Sequence, residues 1–227
     1  MPRTLWRVGG AQRQGRREVQ ADAFSVGGDR ATGRLAVAVT DGIGDTGAAS
    51  EVAELTADTA ATTALASMPE FGCLAARSKL VASGIRADAS IVTTLFDPAH
   101  SRIRFAWAGL CRAYALTTDG ELQRVTYDHS LGEHIRRHTR QRAPLPLYDR
   151  RVTRTVARHE FVTTSLPVHG TTAVLLCTDG ISRIAKHRTL VAALQCDDPY
   201  EGAELLAAAS TEGPDNATAI VLRRRTR

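Results

Sequence analysis

Residues 34–50 read RLAVAVTDGIGDTGAAS, and this stretch determines how the rest of the chain can fold. The run from Leu35 to Val39 is apolar and rich in β-branched residues, which is typical of a buried strand. Asp41 follows the strand, two glycines allow a tight turn, and a helical pattern begins near Ala48. A carboxylate fixed at a strand end can present oxygen ligands to a divalent cation. An Asp-Gly pair after a strand is also a common turn, so this stretch alone leaves both interpretations open.

The same arrangement, an aspartate at the edge of an apolar run, recurs elsewhere in the chain. The aspartates are Asp22 before residues 23–26, Asp41, Asp179 after residues 173–178, and Asp215 before residues 217–222. Four carboxylates that converged without counter-charge would repel one another strongly. Divalent cations are the usual remedy, so the recurrence favours a metal site over a set of unrelated turns.

Composition limits the classes of protein that this chain can represent. With 227 residues, of which 43% are hydrophobic and 23% charged, the chain can bury a sizeable core. The aromatic share of 5% argues against a stacking surface for single-stranded nucleic acid, so we expect no nucleic-acid partner. Part of the net charge of +5 comes from arginines in residues 223–227, which we interpret as a basic tail after a single domain over residues 1–222.

Cysteine usage and hydropathy indicate the compartment. The four cysteines, at positions 73, 111, 177 and 196, are far apart and form no CxxC pair, which argues against a zinc site or a disulfide framework. No long apolar segment follows Met1, so we expect no signal peptide, and no run of 18 apolar residues indicates a membrane span. We therefore predict a cytoplasmic protein with no membrane partner, and we expect it to be a monomer.

Hydrophobic periodicity predicts helices and strands in a layered order. Helices are predicted over residues 48–68, 70–86, 186–195 and 200–209, with a short one beginning at Leu131. Strands are predicted over 4–9, 23–26, 35–39, 91–96, 102–108, 113–116, 122–125, 151–156, 161–164, 173–178 and 217–222. Two long helices in succession between strands argue against repeated βαβ units. They favour helices laid on antiparallel sheets.

Two polar features outside the aspartate set allow more than one interpretation. Arg17 lies five residues before Asp22, where its guanidinium could bind a phosphate beside the metals, although a solvated arginine would look the same. His134 and His138 are four residues apart on the predicted helix, but no glutamate completes a HExxH pattern. Arginines surround both histidines, so we favour an exposed basic face over a metal site.

Several short motifs, taken in order, resemble the metal-dependent protein serine/threonine phosphatase family, type 2C (PPM), in its compact bacterial form. They are Arg17 with DAF at 22–24, VTDGIG at 39–44, TTLFD at 93–97, WAGLCRAYAL at 107–116, DHSL at 128–131, LLCTDGIS at 175–182 and GPDNATAIVL at 213–222. No single motif is specific. Their order over nearly the whole chain carries the resemblance.

The resemblance implies an α+β fold, a four-layer α-β-β-α sandwich of two antiparallel sheets flanked by helix pairs. It also implies two Mn²⁺ or Mg²⁺ ions in a cleft at one edge of the sandwich. By motif match the metal ligands would be Asp22 as an outer ligand, Asp41 bridging both ions, the Gly42 carbonyl, Asp179 and Asp215. Arg17, Asp41 and Asp179 would be the catalytic residues, with Arg17 as the phosphate clamp.

The implied activity is hydrolysis of phosphoserine and phosphothreonine in a phosphorylated partner protein. Two cations about 3.5–4 Å apart lower the pKa of a bridging water and neutralise phosphate oxygens during in-line attack. No covalent enzyme intermediate is needed, so no nucleophilic serine or cysteine is required. An all-oxygen ligand set favours Mg²⁺ or Mn²⁺ over Zn²⁺.

The chain departs from the family pattern at several positions. Leu110 stands where an aspartate that helps to hold a third ion is usual, and Ala21 where a carboxylate or amide is usual. Ile43 replaces the histidine found in some members, and the flap segment 139–170 looks shortened. These departures support an alternative, a phosphatase-like regulatory or phosphoprotein-binding module with little or no activity. A third interpretation is an unrelated globular protein whose Asp-Gly pairs are only turns.

Overall fold

The computed structural model describes residues 6–140 and 143–225. The strands in these ranges are β1 (Trp6–Arg13), β2 (Asp22–Gly28), β3 (Leu35–Gly42), β4 (Ala89–Asp97), β5 (Arg102–Ala108), β6 (Arg112–Thr117), β7 (Leu122–Arg124), β8 (Val162–Pro167), β9 (Thr171–Cys177) and β10 (Ala217–Arg224). The helices are α1 (Gly47–Ala66), α2 (Pro69–Ser83), α3 (Leu131–His138), α4 (Pro146–Asp149), α5 (Asp179–Ser182), α6 (His187–Gln195) and α7 (Pro199–Ala208).

The strands form two antiparallel sheets that pack face to face. One sheet has the order β1-β10-β9-β6-β7 and the other the order β2-β3-β4-β5-β8. Helices α1 and α2 lie on the outer face of the second sheet, and α6 and α7 lie on the outer face of the first. The predicted four-layer α-β-β-α sandwich is therefore confirmed.

Strands that alternate between two buried faces build the core. The side chains that meet between the sheets include Val37, Val39, Val92, Phe105 and Trp107 from one sheet and Val174, Leu176, Ile220 and Leu222 from the other. The intervening residues of the same strands pack against the helices, as Ala38 does beneath α1 and Val221 beneath α6 and α7. Both faces of a central strand are thus covered, which explains why these strands read as continuous apolar runs.

Helix α1 buries its small side chains and not its leucines. The buried positions are alanines and a few other small residues: Ala49, Val52, Ala53, Thr56, Ala57, Ala60, Ala61 and Ala64. Leu55 and Leu65 are only half-buried. Small side chains let the helix axis approach both the sheet and α2. Close approach outweighs side-chain size in choosing the buried face.

Several predicted boundaries are wrong for local reasons. Pro69 begins α2 instead of only ending the preceding helix, because proline suits the first helical position. Strand β10 continues to Arg224 and so includes the first two residues of the expected tail. Arg227 at the end of that tail, and residues 4 and 5 of the first predicted strand, lie outside the described residues.

Residues 151–156 form no strand, although Val152 makes one bridge to Ser130. Side chains from α2 and from the residue that precedes β4 hold the segment in place. The carboxylate of Asp88 accepts from the Thr155 hydroxyl at 2.6 Å and from the Ala157 N–H at 3.0 Å. Arg77 Nε donates to the Val156 carbonyl at 2.6 Å, and the Val156 N–H donates to the Ala89 carbonyl at 2.8 Å. The segment is therefore anchored by scattered polar contacts and not by a continuous strand ladder.

In the part of the chain that the structure describes, every helix is too short or too polar to span a bilayer.

We expect Gly72→Ala to destabilise the protein by about 1–3 kcal/mol, although alanine is normally the better helix former. A Cβ at Gly72 would overlap the carbonyl oxygen of Ala60, because α1 and α2 touch there. Gly47→Ala is the matched control, since a Cβ at Gly47 meets no atom within 4 Å. Urea unfolding of both variants measures the difference. Equal stability of the two variants would contradict the close helix contact.

Candidate metal centre

Two of the predicted site aspartates are paired across neighbouring strands. Asp22 at the start of β2 lies opposite Asp41 near the end of β3. Asp22 is 5% exposed, and its Oδ2 accepts from the hydroxyls of Thr178 at 2.8 Å and Thr218 at 2.9 Å. Thr178 follows β9 and Thr218 lies in β10, so this carboxylate joins the two sheets at one end of the sandwich.

The other predicted ligands lie around one cavity at that same end. Asp41, Gly42, Asp179 and Asp215 line a cavity of about 190 Å³, together with Arg17. Asp22 does not line this cavity and is buried among threonine hydroxyls, which agrees with its expected outer position. The structure thus gathers side chains that are up to about 200 residues apart in the sequence.

The carboxylates raise one another's pKa. Burial, followed by the charge of Asp179, raises the pKa of Asp41 well above its ordinary value. Burial is also the main cause that raises the pKa of Asp22, to about 7, although its two threonine partners act in the opposite direction. Burial and the charge of Asp215 raise the pKa of Asp179. Negative charge is therefore costly at this end of the sandwich, and a bound cation would relieve that cost.

Two guanidinium groups partly balance the negative charge. Arg17 Nη2 lies 2.9 Å from Asp215 Oδ1, and Arg183 Nη2 lies 2.9 Å from Asp179 Oδ2. Burial acts against it, but the hydrogen bond and charge of Asp215 raise the pKa of Arg17. Sequence reasoning missed Arg183. Its spacing of four residues from Asp179, at the end of the helical turn α5, was the signal that could have found it.

The loop that carries Arg17 is fixed by side chains near the cavity. Asn216 Oδ1 accepts from the Ala21 N–H at 2.8 Å, while its Nδ2 donates to the Gln14 carbonyl at 2.8 Å. From the other side, the Asp45 carboxylate accepts from the Val19 N–H at 3.0 Å. Arg17 is therefore presented by a loop held at both ends.

The absence of a polar side chain at Ala21 is compensated by the preceding residue. Gln20 Oε1 accepts from the Asp22 N–H at 3.1 Å, and the Gln20 carbonyl accepts from the Ser50 hydroxyl at 2.8 Å. The backbone of Asp22 is thus held by a side chain two residues earlier, and not by the residue that directly precedes it.

Leu110 contributes an apolar part of the cavity wall, where the family pattern has an aspartate. Its N–H donates to Ser90 Oγ at 3.1 Å, and the neighbouring Gly109 N–H donates to His129 Nδ1 at 3.1 Å. Gly109 has a φ of +97°, and a Cβ there would overlap Ser90, so only glycine fits this turn. The turn is rigid, but its side chain offers no ligand for a cation.

All of the candidate side-chain ligands are carboxylates, and carboxylate oxygens are the ligands that hard divalent cations prefer. Among the described residues, however, no three His, Cys, Asp or Glu side chains already converge as ligands of one ion. The carboxylates instead have partners within the protein: Arg17 and Arg183 each contact one of them, and threonines hold Asp22.

His134 and His138 do not belong to this site. Both are exposed on α3, as expected, and His138 Nδ1 contacts the carbonyl of His134 at 2.8 Å.

Comparisons with known proteins find the same fold in solved structures. The serine/threonine phosphatase PstP/Ppp of Mycobacterium tuberculosis superposes with a TM-score of 0.82 at 21% identity, over 97% of this chain and 99% of that one. A catalytic domain of PstP in complex with two manganese ions gives 0.81 at 22% identity, over 96% and 97%. Stp1 of Staphylococcus aureus gives 0.83 at 17% identity, over 99% and 97%.

These superpositions confirm the resemblance to bacterial PPM phosphatases in the three-dimensional fold, over almost the whole chain. No family model matches the sequence, and no curated protein matches it either. At these identities the likeness establishes the fold, and the chemistry has to be argued from the site.

We expect Asn216→Ala to lower the free energy of unfolding by about 1–3 kcal/mol, because the buried N–H of Ala21 loses its acceptor. Gln123→Ala on the exposed strand β7 removes a similar amide at the surface and should change stability little. Urea unfolding with a chelator present makes the comparison. A loss in Asn216→Ala no larger than in the control would contradict the role of Asn216 in holding the Arg17 loop.

We expect His129 to make the protein less stable in acid. Burial, and then the charge of Arg154, lower the pKa of His129 to about 4. The unfolded chain takes up the proton near the ordinary value of about 6.5. Between these values the unfolded state binds more protons, so stability falls as pH drops, by roughly 3 kcal/mol in all.

The His129 effect is measured as a difference between two chains. The unfolding free energy of wild type minus that of His129→Gln should rise between pH 4 and pH 7, because glutamine does not titrate. His187→Gln, at an exposed position of α6, is the control and should keep the wild-type profile. Parallel pH profiles for wild type and His129→Gln would show that His129 does not act in this way.

Proposed function

We propose that this protein is a metal-dependent phosphoprotein phosphatase that hydrolyses phosphoserine and phosphothreonine. The observation that carries the proposal is the gathering of Asp41, Asp179 and Asp215 around one cavity with Arg17 at its edge. The PPM fold over almost the whole chain supports it, as does a neighbour of the same fold that holds two manganese ions. The partner is a phosphorylated protein, and the expected cofactors are two Mn²⁺ or Mg²⁺ ions.

The proposed ligands are Asp41 and the carbonyl of Gly42, with Asp179 and Asp215, while Asp22 acts from behind the cavity. When bound, a pair of such ions supplies an activated water and neutralises phosphate oxygens. The proposed ligand residues are held at strand ends and in one tight turn. A Cβ at Gly42 would overlap the carbonyl of Ala49, so the first turn of α1 passes directly against the candidate ligand.

Arg17 is proposed to bind the phosphate oxygens. Its guanidinium already contacts a carboxylate, Asp215, at 2.9 Å, so it can exchange one anionic partner for another. The loop contacts from Asn216 and Asp45 fix its backbone before substrate arrives. Ile43 and Leu110 line the cavity and offer no proton donor, so the leaving oxygen must take its proton from water or from a group on the substrate.

The alternative is a phosphatase-like regulatory or phosphoprotein-binding module that keeps the metal site with little or no turnover. Leu110 in the cavity wall is the observation that favours it, because a leucine cannot hold a further cation. The two functions differ in turnover and share the metal site. The cytoplasmic location and the monomeric state remain predictions under both.

We expect Mn²⁺-dependent release of phosphate from p-nitrophenyl phosphate and from a phosphothreonine peptide. Asp179→Asn should lower this activity by at least about 100-fold, because one ligand carboxylate loses its charge at a site where charge stabilisation dominates catalysis. Asp29→Asn on the loop between β2 and β3 is the matched control and should retain activity. A chelator should abolish turnover in wild type.

Calorimetry with Mn²⁺ separates the remaining possibilities. Metal binding that weakens in Asp179→Asn, without turnover in wild type, would favour the regulatory module. Absence of metal binding in wild type would overturn both functions and leave a globular protein with acidic turns.

A further inference from the structure

A second, larger cavity lies beside the cavity that Asp41, Asp179 and Asp215 line, which we call the metal cavity. It has a volume of about 600 Å³, and its wall includes Arg112, Arg124, Arg136, Arg150 and Arg183. Arg150 and Arg183 line both cavities, so the two spaces adjoin. A ligand group that reaches the metal cavity therefore lies next to a basic surface.

The charges in this second cavity do not cancel. Its described wall carries the five guanidinium groups just named and three carboxylates, Asp128, Glu133 and Asp149, which leaves two positive charges in excess. Arg183 forms an ion pair with Asp179 of the metal cavity, so its charge is partly balanced from outside the second cavity. The other positive charge in excess has no such partner in the metal cavity.

The ion pairs within this wall are unevenly distributed. The single carboxylate of Asp128 faces two guanidinium groups, with Arg112 Nη2 and Arg124 Nη2 each 2.6 Å from one of its oxygens. Arg150 is exposed, and among the described residues it has no ion-pair partner. Arg136, in contrast, lies between two carboxylates, Glu133 at 3.2 Å and Asp149 at 2.7 Å.

We propose that this cavity, through Arg124 and Arg150, binds a second anionic group of the substrate protein, a carboxylate or a second phosphate close in sequence to the phosphorylated residue. The inference rests on the proposed function, since it places the first phosphate in the adjoining cavity. Guanidinium groups bind carboxylate and phosphate oxygens by the same paired hydrogen bonds, so the chemistry fits both sources. It makes the protein selective for acidic or doubly phosphorylated segments.

The position of the second group follows from chain geometry. An extended peptide advances about 3.3–3.6 Å per residue. Adjoining cavities that share two side chains are therefore spanned by a few residues, and we place the second anion two to four residues from the phosphorylated one.

The test measures binding and not turnover. Fluorescent peptides carry a phosphonate analogue of phosphothreonine, which cannot be hydrolysed, with glutamine, glutamate or phosphoserine at the flanking positions. Fluorescence anisotropy with Mn²⁺ gives Kd for each. We expect the glutamate or the phosphoserine peptide to bind about fivefold or more tightly than the glutamine peptide, with an advantage that shrinks in high salt.

Substitutions then locate the effect. The double variant Arg124→Gln/Arg150→Gln should reduce the advantage of the anionic peptides to less than about twofold, because it removes the excess positive charge. Arg30→Gln removes one exposed arginine from the loop at the opposite end of β2 and β3, and should keep the advantage. Equal binding of all three peptides by wild type, or an equal loss in Arg30→Gln, would overturn the proposal.

The experiment separates this inference from the proposed function. p-Nitrophenyl phosphate has no flanking group, so its hydrolysis tests the metal cavity alone. Hydrolysis without discrimination among the peptides rejects the second anion site and keeps the phosphatase. Discrimination without hydrolysis rejects the phosphatase and keeps the site, as part of a phosphoprotein-binding module. A gain for glutamate identifies carboxylates as ligands, and a gain for phosphoserine alone identifies a second phosphate.

Discussion

The structure depends on one buried carboxylate that bonds across the two sheets. Asp22 in one sheet accepts hydrogen bonds from Thr178 and Thr218 of the other, at the end of the sandwich where Asp41 and Asp179 also lie. A buried carboxylate is tolerated only when its oxygens are satisfied. Asp22 therefore fixes how the sheets align at this end, and that alignment places the remaining aspartates around one cavity.

Gathering buried carboxylates destabilises the folded protein, but it also creates a place where a cation could bind. Like charges held together in a buried setting raise one another's pKa, as they do at Asp41 and Asp179. Arg17 and Arg183 offset part of this cost without filling the cavity. A fold selected for stability alone would replace these carboxylates with apolar side chains, so their presence together is best explained by a ligand that carries positive charge.

The sequence predicted the layers and the aspartates because both are encoded locally. The apolar runs at 35–39 in β3 and 173–177 in β9 are each followed, after one threonine, by an Asp-Gly pair. What the sequence could not give was the pairing between distant parts of the chain. Arg183, Asn216 and Thr218 belong to the site through contacts that only the packing of two sheets brings together.

Two features that local pattern does not reveal have the same origin. Contact with α2 and the sheet requires small residues along the buried face of α1, so its leucines are only half-buried. Residues 151–156 have the composition of a strand, yet Asp88 and Arg77 bind the Thr155 hydroxyl and the Val156 carbonyl, and Ala89 accepts from the Val156 N–H. A segment whose polar groups have such scattered partners gains little from a strand ladder, and local pattern cannot reveal these distant partners.

Leu110 and Arg183 both affect the electrostatic balance of the cavity that Asp179 lines. An apolar side chain and a guanidinium line the cavity together with the carboxylates, so its wall carries less net negative charge than the aspartates alone would give. Less negative charge weakens the attraction for a further cation and strengthens the attraction for an anion. Because Arg183 also lines the adjoining basic cavity, one guanidinium adds positive charge to the walls of both cavities.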